Sequence, residues 1–294
     1  MAMKKSELYS ILWKSCDELR GGMDPSQYKD YILVLLFVKY VTDKHAQDKD
    51  ALIEVPPGGS FNDMVALKGK SEIGDGINKI IKKIAEANDL SGVIDVSDFN
   101  DDAKLGKGKD MVDRLSKLIE IFQNPDLDFS KNRAEGDDIL GDAYEYLMRY
   151  FATESGKSKG SFYTPSEVSR VIAQVIGIKQ SKTQSQTVYD PTCGSGSLLL
   201  KAADETEHGI TIYGQEKDLA TSGLAKMNMI LHGQDQAEIY REDTISHPQL
   251  LTDGKLKTFD FAVANPPFST KSWSNGIIPA QDKYGRFEYF TRMN

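Results

Sequence analysis

The sequence predicts an α/β protein in two parts: a helical region to about residue 155, then a segment in which short strands alternate with glycine turns and helices. Three observations support this. Apolar residues recur every three or four positions in the first part; they alternate in short runs in the second; and 294 residues suffice for two ordinary domains with cores of their own. The expected division is a helical domain over 1–155 and an α/β domain over 156–294.

In "ELYSILWKSCDEL", Leu8, Leu12, Cys16 and Leu19 share one helical face. "DPSQ" then offers Asp24 as N-cap, Pro25 at the first helical position and Gln27 to close a capping box, so a second helix is expected from Pro25 to about Asp43. Residues 46–75, with "PPGG" and few periodic apolar positions, read as a long loop, followed by weaker helices near 75–88 and 109–123. In "DDILGDAYEYLMRYFA", Leu140, Tyr144, Leu147 and Phe151 again share a face. Core packing accounts for nearly all of these stripes.

The polar, glycine-bearing stretch "TESGKSKGS", residues 153–161, reads as a hinge or an active-site lid. Its "GKS" is not a phosphate loop, because Phe151 stands where that motif requires glycine. Beyond it, "QTVYD" ends at Asp190, "ITIYGQE" at Glu216, "AEIYRED" near Asp243 and "FDFAVAN" at Asn265. Amphipathic stretches over 196–206 and 217–232 separate the first three, whereas 244–257 is more loop-like. Such alternation indicates a parallel sheet flanked by helices, with ligands beyond the carboxyl ends of the strands.

Composition narrows the function. The formal charge of −8 argues against tight phosphate-backbone binding by this chain alone. Cys16 and Cys193 form no disulfide framework and suit a reducing, cytoplasmic setting. The apolar run "YILVLLFVKYV" is too short for a membrane span and contains Lys39. His45, His208, His232 and His247 lack ligand spacing, so no metal centre is expected.

The chemistry is expected at the strand ends. In "VYDPTCGSGSLLL", Gly194 and Gly196 permit a tight turn and close approach of backbone to a ligand, although Leu199 replaces the third glycine of a dinucleotide fingerprint. Glu216 follows Gly196 by 20 residues, the place from which a carboxylate accepts from ribose hydroxyls. Together they point to a nucleoside. Asp243 would accept from an adenine amine or serve as a turn cap. In "SFYTPSE", Thr164 is expected to cap a helix, with Pro165 at its first position and Glu167 closing the box; a hydroxyl and amides there suit a small carboxylate.

"NPPF" completes the set. An exocyclic amine on a nucleobase is a poor nucleophile because its lone pair is delocalised into the ring. Accepting hydrogen bonds from both amine hydrogens, through the Asn265 side-chain oxygen and the Pro266 carbonyl, localises that pair. Pro266 and Pro267 fix the carbonyl direction in advance, and Phe268 offers a face for a flat base.

The ordered set "FYTP", "DPTCGSG", "GQE" and "NPPF" resembles the amino-DNA methyltransferases that use S-adenosylmethionine. The leader "LWKSCDELRGGMDPSQYKDYILVLLFVKY" resembles, more narrowly, the modification subunit of type I restriction–modification systems. The resemblance covers essentially the whole chain and implies a Rossmann-like methyltransferase domain that methylates adenine N6. It implies that Ser161, Phe162, Tyr163, Thr164, Pro165 and Ser166 hold the methionine end of the cofactor, together with Asp190 and the turn Gly194, Ser195, Gly196 and Ser197. Glu216 would hold the ribose, Asp243 the adenine, and Asn265 to Phe268 the target base.

The implied partners are DNA with a flipped adenine, a specificity subunit, a restriction subunit and a second modification subunit. Family members continue past "NPPF" with further strands and a C-terminal helical region, so this chain is expected to be an N-terminal fragment whose sheet stops at the fourth strand with an exposed edge. Competing readings are methylation of another planar nitrogen, in a glutamine amide or an RNA base, and a non-catalytic assembly module.

Overall fold

A computed structural model describes residues 5–20, Met23, 25–45, 53–130, Leu147, 164–267, Ser274 and 276–288. The chain divides into two compact units, Met1–Lys159 with Ile230–Asp235, and Gly160–Met229 with Gln236–Asn294.

The first unit is helical: α1 (Lys5–Arg20), α2 (Pro25–His45), α3 (Phe61–Val65), α4 (Ile73–Ala87), α5 (Asp102–Leu105) and α6 (Lys109–Phe122). The helix α2 is its centre. Tyr31 to Val38 are all buried, a pattern expected of a helix enclosed on every side rather than an amphipathic surface helix. Helices α1 and α6 pack against it and each other. No helix among the described residues is long and apolar enough to cross a membrane.

Residues 46–75, expected as loop throughout, contain α3. Ser60 Oγ accepts from Asp63 N at 3.2 Å and Asp63 Oδ2 accepts from Ser60 N at 2.9 Å, a capping box that uses Asp in place of the usual Glu or Gln. Phe61 and Met64 are buried, and Phe61 N donates to Thr42 Oγ1 of α2 at 2.8 Å, so tertiary contact secures a helix too short to show a period. The Asp24 cap, the helix around Leu140, Tyr144 and Phe151, and the 153–161 hinge lie outside the described residues; Leu147 alone of that stretch is described, helical and buried.

The second unit contains α7 (Ser166–Ile176), β1 (Thr187–Asp190), α8 (Ser197–Asp204), β2 (Thr211–Glu216), α9 (Leu219–Leu231), β3 (Glu238–Arg241), a small ribbon of β4 (Leu251–Thr252) with β5 (Lys255–Leu256), and β6 (Phe261–Ala262). The main sheet is parallel, in the order β3-β2-β1-β6. Val188, Ile212, Ile239 and Val263 form one face, packed with Leu198, Leu199 and Ala202 of α8, Ala173 of α7, and Ala225 and Met229 of α9. On the other face the Tyr189 and Phe259 rings stack at 4.4 Å, and Lys257 Nζ lies 3.7 Å from the Tyr213 ring centroid.

The connection over 244–257 is not loop alone. Asp253 and Gly254 both have positive φ, 51° and 73°, which is the turn an "DG" pair makes between two antiparallel strands, here Leu251 paired with Leu256.

Gly214 of β2 admits no side chain: an added Cβ would lie 2.7 Å from Ile239 Cδ1 and 3.0 Å from Cys193 Sγ. Gly214→Ala is expected to lower unfolding free energy by about 1–3 kcal/mol through overpacking. Urea denaturation checks this; a variant as stable as the parent would show that the Cys193 turn is not packed on β2.

Candidate active site

Five chain segments leave the carboxyl ends of parallel strands, or begin a helix, at one end of the second unit. The first follows β1. Asp190 is buried, 1% exposed, and its Oδ1 accepts from Thr192 N at 2.9 Å. Burial pushes its carboxyl up to about 7, and the negative charge of Glu216 adds to the rise. Burial also pushes the neighbouring Cys193 thiol well above its ordinary value, so it is an inert packing group.

Cys193 N donates to Gln215 O at 3.1 Å, and the chain then passes through Gly194 and Gly196, with φ of 56° and 79°. At Gly196 the positive φ favours glycine, and an added Cβ would also have to displace the tip of the Met229 side chain, 2.6 Å away. Ser195 and Ser197 hydroxyls lie 2.9 Å apart, and Asn228 Nδ2 donates to Ser195 O at 2.9 Å. The turn is thereby pinned from α9 before α8 begins at Ser197.

Glu216, at the end of β2, faces this turn. Its Oε2 accepts from Gly194 N at 3.1 Å and its Oε1 from Asp218 N at 2.9 Å. A carboxylate can accept about four hydrogen bonds, so two backbone amides orient it without exhausting it. Asp243, past β3, accepts at Oδ1 from Ile245 N and Ser246 N, both at 2.9 Å, and its Oδ2 lies 2.9 Å from Lys217 Nζ. Burial works to raise this carboxyl, but the Ser246 amide, the Lys217 ammonium and the Ile245 amide outweigh it and hold the acid below its ordinary range.

The capping arrangement expected for "TPSE" is not the one observed. Helix α7 starts at Ser166 with Pro165 in the cap position and no side-chain cap. The Thr164 hydroxyl accepts instead from Asn265 Nδ2 at 3.2 Å, across 101 residues of sequence. Pro266 and Pro267 follow, both exposed. Ser161, Phe162, Tyr163 and Phe268 lie outside the described residues, and of Ser166 only the helical backbone is described.

The structure therefore joins Thr164 to Asn265, and Gly194 to Glu216, and gives Asp243 a turn-capping role with Lys217 as its ion partner. Three residues that the sequence reading passed over also organise this end of the sheet. Gln215 is fully buried and bonded to the loop after β3. Thr244 Oγ1 donates to Pro191 O at 2.5 Å. Arg286 donates to Ile245 O at 2.8 Å and Thr244 O at 3.3 Å while paired with Asp282 at 2.7 Å. A polar side chain inside a predicted buried strand was the one available signal, at Gln215; the other two depend on tertiary contact. Among the described residues no group of three or more His, Cys, Asp or Glu could hold a metal ion.

Residues 135–293 match the family model for N-6 DNA methylase, and residues 8–122 match that for the HsdM N-terminal domain. The chain is 29% identical to the type I restriction enzyme MpnII methylase subunit of Mycoplasma pneumoniae, over 90% of this chain and 58% of that protein. It is 30% identical to the MjaVII methylase subunit of Methanocaldococcus jannaschii, over 93% of this chain and 49% of that protein. The chain thus spans about half the length of the curated relatives it matches. A type I restriction-modification system methyltransferase subunit from Streptococcus thermophilus has the same fold, with a TM-score of 0.78 and 28% identity over 91% of this chain and 64% of its own.

The raised Asp190 carboxyl has a sign that can be tested. A buried acid whose folded value lies near 7 keeps its proton where the unfolded chain has released it, so its contribution to stability is full below about pH 4 and is lost as pH rises through 7. Asp190→Asn, which keeps the acceptor for Thr192 N, is expected to match the parent in melting temperature at pH 4 and to exceed it at pH 8. A gap independent of pH, followed by differential scanning calorimetry, would contradict the assignment.

Proposed function

The chain belongs to the N-6 DNA methylase family, and from that premise we propose that it serves adenine N6 methylation of DNA with S-adenosylmethionine, as the modification subunit of a cytoplasmic type I restriction–modification complex. The observation that carries the reading is the bond between Asn265 and Thr164, which commits the amide nitrogen and leaves the amide oxygen as an acceptor at the end of β6.

The donor set fits the cofactor. Glu216, held by two amides, retains lone pairs for a ribose diol. The turn Gly194 to Ser197 and the start of α7 at Thr164, Pro165 and Ser166, where first-turn amides carry partial positive charge, suit the methionine end with its carboxylate. Asp190 lines the floor of that turn, and Asp243 is the acceptor for the adenine amine. When bound, the cofactor supplies a sulfonium methyl group as the electrophile.

Asn265 Oδ1 and the Pro266 carbonyl accept the two hydrogens of the target amine, which concentrates the nitrogen lone pair for in-line attack and stabilises the positive charge that develops there. The nitrogen releases its proton to solvent only as that charge makes it acidic, so weak acceptors suffice and a strong base is unnecessary. Pro266 and Pro267 hold the carbonyl direction, and Phe268 stacks on the base, which must be flipped from the duplex to arrive. With a charge of −8, the chain relies on a specificity subunit for sequence choice and much of the phosphate contact. A restriction subunit and a second modification subunit complete the assembly.

Calorimetric titration of the chain with S-adenosylmethionine is expected to show binding that Glu216→Ala weakens by roughly 10- to 100-fold, the worth of hydrogen bonds to a charged group. In the assembled complex with its specificity subunit, Asn265→Ala is expected to slow transfer of radiolabelled methyl to DNA by roughly 100- to 1,000-fold while leaving cofactor affinity intact. Loss of binding and transfer together would remove Asn265 from the base site. Labelling of RNA or a glutamine-bearing protein, with none of DNA, would overturn the choice of substrate.

A further inference from the structure

A glutamine inside a parallel sheet is unfavourable unless its hydrogen-bonding groups are used. Gln215 has no exposed surface. Its Nε2 donates to Glu242 O and to His247 O, both at 3.1 Å, and its Oε1 accepts from Gln249 N at 3.1 Å. Two carbonyls demand the donor end and one amide demands the acceptor end, so these partners fix the orientation of the side-chain amide.

All three partners lie in the loop that leaves β3, one before Asp243 and two after it. Between them, Asp243 is shaped from within by Ile245 N and Ser246 N, and His247 N donates to Asp243 O at 2.7 Å. Gln215 thus grips both ends of the turn that carries Asp243, while Glu216, the next residue of the same strand, faces Gly194. Adjacent residues of one strand point to opposite faces, so a single dipeptide serves two parts of one site.

We propose that Gln215 is a positioning residue for the purine end of the cofactor site. By fixing the turn over 242–249 it sets the Asp243 carboxylate to accept from a 6-amino group, and it makes the site select a 6-amino over a 6-oxo purine, whose exocyclic carbonyl oxygen would face that carboxylate as a second acceptor. The inference rests on the reading of Gly194, Glu216 and Asp243 as the cofactor site.

The test is calorimetric titration of the chain with two ligands that differ only at that group, S-adenosylhomocysteine and S-inosylhomocysteine. The parent is expected to prefer the adenosyl compound by about tenfold or more, the discrimination of a site built to hydrogen-bond a polar group. Gln215→Met keeps the length and removes all three bonds; it is expected to bring the affinity ratio close to unity. Glu216→Ala, which acts at the ribose, is expected to weaken both ligands equally and preserve the ratio. Should Gln215→Met fail to fold, Gln215→Glu keeps the shape and the bond from Gln249 N, loses both donors, and reads the same ratio. A Gln215 variant that weakens both ligands equally, with the parent's ratio intact, shows a purely structural role and overturns the proposal. Binding of neither ligand to the parent overturns the cofactor-site reading beneath it, so the two failures are distinct.

Discussion

The site depends on the parallel pairing of β1 with β6. From β1 the chain steps outward to β2 and β3, then returns to add β6 on the opposite side of β1. At such a reversal the segments leaving adjacent strands diverge, and the crevice between them is where open α/β sheets receive ligands. The pairing is locked at its entry end, where Asp260 Oδ2 accepts from both Thr187 N and Thr187 Oγ1 at 2.8 Å, and beyond β6 by Val263 N donating to Tyr189 O at 2.9 Å. A slip of one residue would exchange buried Val263 with exposed Ala262. It would also rotate Asn265 away from Thr164, so the register of a strand two residues long decides whether that bond forms.

One wall is electrostatic. Asp190 and Glu216 terminate adjacent strands, and the negative charge of Glu216 adds to the rise of the Asp190 carboxyl. Asp190, enclosed and with one backbone donor, is pushed up toward neutrality. Glu216, half-buried and held by the amides of Gly194 and Asp218, has the better-solvated environment. The glycine turn supplies one of these donors, the amide of Gly194, a residue with positive φ. Glycine here does more than relieve crowding: it makes the peptide plane a ligand for the acid.

What could be read in the sequence follows the range of the forces involved. The strands ending at Asp190 and Glu216, the helices between them and the central α2 were legible because their apolar periods are long or their flanking glycines plain. The helix at Phe61 was not, since five residues hold less than two turns and the helix depends on Thr42 and on an Asp in the box. The ribbon at Leu251 was legible in principle from its "DG" pair, but its strands are two residues each and show no alternation. Among the candidate site residues, the glycine turn and Glu216 stand out by their spacing. Gln215 and Arg286 act through carbonyls of a loop whose path no local pattern encodes.

Thr164 shows most clearly how the site competes with local structure. Its sequence context, hydroxyl, proline and glutamate, is that of a helix start, and capping by such a hydroxyl is worth about 1 kcal/mol. The structure forgoes that gain: α7 begins uncapped and the hydroxyl goes to Asn265. A local preference overridden in this way is expected at functional or strained positions. The consequence is double. Asn265 is held by its side-chain nitrogen, and α7 begins with no side-chain bond from its cap residue, Pro165. One hydroxyl thereby ties the end of β6 to the start of α7 instead of serving its own helix.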